Sequence, residues 1–247
     1  MDDSLDFRAA RLYVDAPLAA GAGIAASADQ SNYLVNVLRL GDGGRILVFN
    51  GRDGEWLATV TRQGKRGAAL GIERQTKAQS TGPDIDYWFA PLKRSRLDYM
   101  VQKATELGVA RLKPVLTRRT VAERVNLERM RANVIEAAEQ CGILRIPDVQ
   151  PPEHLDKALA AADPKRTLIF CDEGATVANP ITALAAATAG PVTVLIGPEG
   201  GFDPAERAAL IARPNVVRLS LGPRIMRADT AAVAALALVN ATLGDWH

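Results

Sequence analysis

Two runs near the C-terminus constrain this chain most: Leu195-Ile196-Gly197-Pro198-Glu199-Gly200-Gly201-Phe202 and Leu219-Ser220-Leu221-Gly222-Pro223-Arg224-Ile225-Met226-Arg227-Ala228-Asp229-Thr230-Ala231. Each begins as an apolar strand, breaks on Gly and Pro, and passes into a helical pattern. Each is expected to be a tight loop at the carboxyl end of a buried strand, the edge where open α/β sheets bind ligands. Asp172-Glu173-Gly174, after an apolar run ending at Cys171, falls at the same edge if the strands are parallel, so the three loops form one candidate pocket. None of them is a P-loop or a GxGxxG fingerprint.

From residue 87 onward strand and helix patterns alternate. Strands are expected at 87–90, 112–116, near Val149, and at 168–171, 192–196 and 216–221. Leu97, Met100, Val101, Ala104 and Leu107 recur at helical spacing and end on Gly108, and a long helix follows over 127–140. Asp203, Pro204 and Glu206 have the spacing of N-cap, first helical residue and capping-box partner. Such alternation predicts an α/β domain with a largely parallel sheet.

The first 78 residues read differently. Short β segments at 11–14, 45–49, 55–60 and 68–72 surround one helical stretch at 30–38, and Asn50-Gly51-Arg52-Asp53-Gly54 has hairpin chemistry. A small β-barrel is expected over 1–78, a polar linker around 77–84, and the α/β domain over 85–247.

Composition excludes several classes. No apolar run approaches the roughly 18 residues of a membrane span, and Met1-Asp2-Asp3-Ser4 lacks the start of a secretory signal, so a cytoplasmic location is expected. Cys141 and Cys171 lack CxxC spacing and read as two buried thiols; His154 and His247 are the only histidines, so no metal site is expected. The net charge of +2 conceals a basic segment, for residues 93–131 hold eleven Lys or Arg against four acids. Of the 30 basic residues in the chain 23 are Arg, suited to phosphate contacts and base stacking, although a solvated helix face would look the same.

In the loops, Gly200 and Gly201 let backbone approach a purine or ribose closely, unless the turn is merely tight. Arg224 and Arg227 flanking Ile225-Met226 are more specific. Arg227 can hold a phosphate or orient a base, or it can pair with Asp229 or Glu199; Asp229 is expected to cap a final helix over 231–243.

At these residues the chain resembles the bacterial 16S ribosomal RNA uridine N3-methyltransferases, a branch of the SPOUT methyltransferases. The resemblance extends to Asp98-Tyr99-Met100-Val101-Gln102-Lys103-Ala104-Thr105-Glu106-Leu107-Gly108-Val109, to Glu136-Ala137-Ala138-Glu139-Gln140-Cys141-Gly142 and to Tyr33-Leu34-Val35-Asn36-Val37-Leu38-Arg39-Leu40, nearly the whole chain. It implies an N-terminal PUA-like RNA-binding barrel, a C-terminal SPOUT domain with a deep trefoil knot, and a homodimer. The cofactor would be S-adenosylmethionine and the substrate one uridine of 16S rRNA on the assembled 30S subunit.

Carried onto this sequence, cofactor contacts fall on Asp172, Glu173, Gly174, Ile196, Gly197, Pro198, Glu199, Gly200, Gly201, Leu219, Leu221, Gly222, Ile225, Met226, Arg227 and Thr230. Arg227, Glu199 and Asp229 are the catalytic candidates, with Glu106 a further proton acceptor. Arg11, Arg39, Lys93, Arg94, Arg96, Lys103, Arg118 and Arg119 are the RNA-binding candidates. The chain departs from the family's usual Leu-Arg-x-Glu-Thr at Met226-Arg227-Ala228-Asp229-Thr230, where Asp keeps the charge but reaches one methylene less, and it has Ser31-Asn32 where a His is common. The alternatives are a non-catalytic RNA-binding assembly factor, an α/β enzyme using another nucleotide, and a knotted methyltransferase with a different RNA target.

Overall fold

The computed structural model describes residues 9–122, 124–176 and 179–246. The readings made above on residues 1–4, Glu123 and His247 lie outside them. The chain divides into two compact units, one running through Thr81 and also taking in Ala138–Ile146, the other formed by Gly82–Ala137 and Pro147–His247.

In the first unit, strands β1 (Arg11–Tyr13), β2 (Gly23–Ala25), β3 (Arg45–Phe49), β4 (Glu55–Gln63) and β5 (Gly67–Lys77) form one sheet in the order β1-β3-β4-β5-β2. Only the β1–β3 pair is parallel. The turn between β3 and β4 forms because Asn50 Oδ1 accepts from the amides of Arg52 (3.0 Å) and Asp53 (2.8 Å), while Gly51 and Gly54 take φ of 83° and 81°. Helix α1 (Ala28–Asn32) opens on a Ser27/Gln30 capping box and continues as a π-helical turn over Tyr33–Val37. Leu12, Val14, Leu34, Val48, Val60 and Leu70 belong to a single apolar core.

Arg11, expected on an RNA surface, is part of this unit's interior. It is 5% exposed and its Nε donates to Glu55 Oε2 at 2.8 Å. A strand residue facing the core keeps a charge there only when paired. Cys141, expected to be buried, is exposed.

The second unit is a parallel sheet. Strands β6 (Ile85–Phe89), β7 (Arg111–Leu116), β8 (Asp148–Val149), β10 (Thr167–Cys171), β11 (Val192–Ile196) and β12 (Val216–Leu219) lie in the order β12-β10-β11-β6-β7-β8, and β9 (Glu153–His154) pairs with β7. β6, β10 and β11 read as near-continuous apolar runs because helices cover both faces of such sheets. The helices are α2 (Arg94–Glu106), α3 (Leu127–Cys141), α4 (Leu155–Ala161), α5 (Pro180–Ala185), α6 (Pro204–Ile211) and α7 (Ala228–Leu243). α7 packs on α2, α5 and β11. Among the described residues no helix is long and apolar enough to cross a membrane.

Candidate active site

β12, β10 and β11 are adjacent and parallel, and their registers pair Cys171 with Leu219 and Phe170 with Leu195. The three strands therefore end level, and with neighbouring strands about 4.8 Å apart their loops leave the sheet within about 10 Å of one another.

The first loop is clamped from below. Asp172 accepts from Arg218 Nε (2.7 Å), from Arg207 Nη2 (2.9 Å) and Nε (3.1 Å), and from the Gly174 amide (3.0 Å). Burial disfavours the charge on Asp172, but these donors outweigh burial and hold its carboxyl below the usual range. Arg218 also donates to the Gly174 carbonyl, and Glu173 and Gly174 are left exposed.

The second loop is held by packing and by a helix cap. Phe202 stacks edge-on against Phe170 with ring centroids 5.2 Å apart. Asp203 accepts from the Ala205 amide and Glu206 from the Asp203 amide, each at 3.0 Å, so the expected capping box is present. Gly201 takes φ 69° to close a turn in which its amide donates to the Pro198 carbonyl at 2.8 Å. The connection after β7 joins it: Arg119 Nη1 donates to the Gly200 carbonyl at 2.8 Å and the Arg118 amide to Glu206 Oε1 at 2.8 Å.

The third loop is open. Gly222 has φ 101°, Arg224 and Arg227 are exposed, and Ile225 is 95% exposed. Among the described residues neither arginine has an ion-pair partner, and Arg227 is joined to neither Asp229 nor Glu199. A Cβ on Gly201 or Gly222 would meet nothing within 4 Å, so both loops border open space.

Several residues are placed differently from expectation. Asp229 is not the cap of α7: the N-cap is Arg227, which makes no side-chain cap bond, and Asp229 lies in the first turn and accepts from the Thr230 amide at 2.9 Å. Asp229 there complements the helix dipole. Glu199 is ion-paired with Arg96 of α2. Glu106 is far from the loops, because α2 starts at the loop edge and runs away from it for about 18 Å; its carboxylate binds Lys103 Nζ at 2.6 and 2.8 Å. Sequence patterns missed Arg207 and Arg218, whose partner lies on another strand's loop. Ile196 and Leu219 mark the buried ends of their strands, whereas Cys171, expected to be buried, is half-buried; desolvation pushes its thiol up to about 12.

The geometry is thus a level row of three strand-end loops with glycine backbone at the rim. Residues 80–240 match the RNA methyltransferase domain family and residues 27–73 the RNA methyltransferase PUA domain. The fold is thus a PUA-like N-terminal domain followed by a SPOUT α/β methyltransferase domain. The chain belongs to the ribosomal RNA small subunit methyltransferase E family of RNA methyltransferases. It is 32% identical to that protein from Rickettsia conorii over 93% of this chain and 94% of the relative, and 29% identical to the one from Mycobacterium tuberculosis over 95% and 92%. It is also similar to the crystal structure of the Neisseria gonorrhoeae protein bound to S-adenosyl methionine, with 26% identity, a TM-score of 0.84, and 97% and 100% of the two chains covered.

Proposed function

We propose that this protein methylates N3 of one uridine in 16S rRNA on the assembled 30S subunit, in the cytoplasm, using S-adenosylmethionine. The observation that carries the reading is the row of loops 172–174, 197–201 and 221–227 on three adjacent strands, combined with membership of a ribosomal RNA methyltransferase family. The residues fit the cofactor. Open space beside Gly201 and Gly222 admits a flat purine against backbone, and the loop 172–174 is fixed by Arg207 and Arg218. We assign the contacts to Asp172, Glu173, Gly174, Ile196 through Gly201, Leu219, Leu221, Gly222, Ile225, Met226, Arg227 and Thr230.

When bound, S-adenosylmethionine supplies an electrophilic methyl group on a sulfonium. The chain's residues do the rest. Uracil N3 carries a weakly acidic proton that must leave before its lone pair can attack. Arg227, which has no ion-pair partner among the described residues, stabilises the anionic ring. Asp229 accepts the proton; Glu199, already paired with Arg96, orients substrate instead. The loops exclude water and hold donor and acceptor in line.

Two further features belong to the same reading. A trefoil knot is supported by the placing of β12 beside β10, with α7 returning to pack on β11 and α2. A homodimer is supported by Ile225 and Val121, apolar side chains that are 95% and 81% exposed. RNA is met by Arg39, Lys93, Arg94, Arg96, Arg118 and Arg119.

The test is methyl transfer from labelled S-adenosylmethionine to small ribosomal subunits from cells lacking this protein, with the nucleoside identified by mass spectrometry. N3-methyluridine in 16S rRNA is expected. A different methylated nucleoside would keep the enzyme and overturn the target.

A further inference from the structure

A cavity of about 340 Å³ opens between the first turns of α2 and α3, outside the loop row. Pockets for small ligands run from about 300 Å³ upward, so it has room for a nucleotide-sized group. Its floor is apolar, built from Leu97, Val125 and the buried Met130, and its walls carry Arg94, Arg124 and Arg129.

Among the described residues lining it the one carboxylate, Asp98, is paired with Arg129. Arg129 Nε donates to Asp98 Oδ1 at 2.9 Å and Nη2 to Oδ2 at 2.7 Å, and Asn133 adds a third bond at 2.8 Å. These bonds, above all those from Arg129, hold the Asp98 carboxyl below its usual range. A bidentate pair holds the Arg129 guanidinium in place, and its side chain remains 58% exposed and so open to stacking. Arg94 and Arg124 have no hydrogen-bond or ion-pair partner among the described residues, so two positive charges stand over an apolar floor.

The backbone adds to this field. α2 starts at Arg94 with Lys93 as N-cap and no side-chain cap bond, so its first amides are free to meet an anion. Leu97 and Arg94 lie within about one helical turn of Arg96, which holds Glu199 at the loop row. The cavity thus borders the methyl-transfer site without being part of it.

We propose that this cavity binds an unstacked nucleotide of the RNA substrate adjacent to the methylated one, with phosphate at Arg94 and Arg124 and base on Leu97, Val125 and Met130 against the Arg129 guanidinium. An apolar floor distinguishes it from a plain phosphate site, since single-stranded bases are held by stacking on apolar, aromatic or guanidinium planes. Splaying a neighbour out of the strand would also fix the register of the target. The proposal rests on the RNA-methylating function above.

The test uses the full-length protein and uridine 5′-monophosphate as probe, followed by amide chemical shifts, with inorganic phosphate in parallel. Saturable binding that shifts residues of α2 and α3 is expected, weakened about tenfold in Arg124→Ala and largely restored in Arg124→Lys. Inorganic phosphate binding as tightly as the nucleotide would overturn base recognition. Shifts confined to the three loops, or concentration-dependent self-association through this face, would overturn the site. In methyl transfer to small subunits, Arg124→Ala should raise KM for the RNA with kcat kept, a split that simple destabilisation would not give. If no rRNA is methylated but the nucleotide still binds here, the proposed function fails while the pocket stands.

Discussion

Arg218 Nε lies 2.7 Å from Asp172 Oδ2, joining the strand that ends in the third loop to the loop that follows its neighbour. Asp172 is 3% exposed at its side chain and Arg218 25%, so the clamp has its carboxylate end buried and its guanidinium end partly open to solvent. Because the folded-state pKa of Asp172 lies below its unfolded value, its stabilisation is complete above about pH 4 and is lost as pH falls through the lower folded value. Asp172→Asn should cost about 1–3 kcal/mol at neutral pH. Denaturation measured from pH 5 downward should then show a shallower acid slope for the variant than for the wild type.

Gly197 and Gly222 should fail in different ways when changed to Ala. A Cβ at Gly197 would run into the Phe202 ring, with Cζ at 2.8 Å, and the ring is pinned by Phe170. Overpacking of this kind costs about 1–3 kcal/mol, so Gly197→Ala should lower both the melting temperature and cofactor affinity. At Gly222 there is room, and only φ of 101° is unfavourable, so its Ala variant should lose about 1 kcal/mol. Calorimetry with and without cofactor separates the two.

Arg227→Ala is expected to lower kcat by about 10²–10³ with RNA and S-adenosylmethionine saturating. Asp229→Asn should lower it by about 10² or more, and Glu199→Gln should act mainly on KM. Unchanged turnover in Arg227→Ala would remove the anion-stabilising role, and a larger kcat loss at Glu199 than at Asp229 would reverse the two carboxylates.

Arg11→Ala should destabilise the first unit by about 1–3 kcal/mol, since the buried Glu55 carboxylate loses its closest cation and keeps only Lys77 at 3.6 Å and Thr76 Oγ1 at 2.9 Å. RNA affinity of the protein that stays folded should not change. A loss of affinity without a loss of stability would return Arg11 to the RNA surface.

Thiol labelling should distinguish the two cysteines. With its pKa pushed up to about 12, Cys171 is almost wholly protonated at pH 8, whereas the Cys141 side chain is exposed. Native protein should take up one equivalent of an alkylating reagent, at Cys141, and a second only on unfolding.

Local chemistry was readable wherever one short segment decides the outcome. Asp203, Pro204 and Glu206 announce the start of α6, and Gly108, with φ 73°, closes α2. Pairings across the chain were not readable. Arg11 looks like any strand arginine until Glu55, 44 positions away, is beside it. Gly23–Ala25 has almost no strand signal and becomes one by pairing with β5. Asp229 has the chemistry of a cap, but α7 begins one residue before it. Glu106 shares a motif with the site's helix, yet the direction of α2 carries it away.

The row of loops also has a consequence in time. Its members come from residues 172–174, 197–201 and 221–227, and the sheet order places β12, which follows β11 in the chain, next to β10 on the other side. Non-local pairings of this kind form late, after much loop entropy has been lost. On the ribosome, a nascent chain lacking β12 has two loops of the three and an unpaired β10 edge. Ligand capture at the proposed row therefore waits on β12, because the third loop exists only after that strand has been made and has paired with β10.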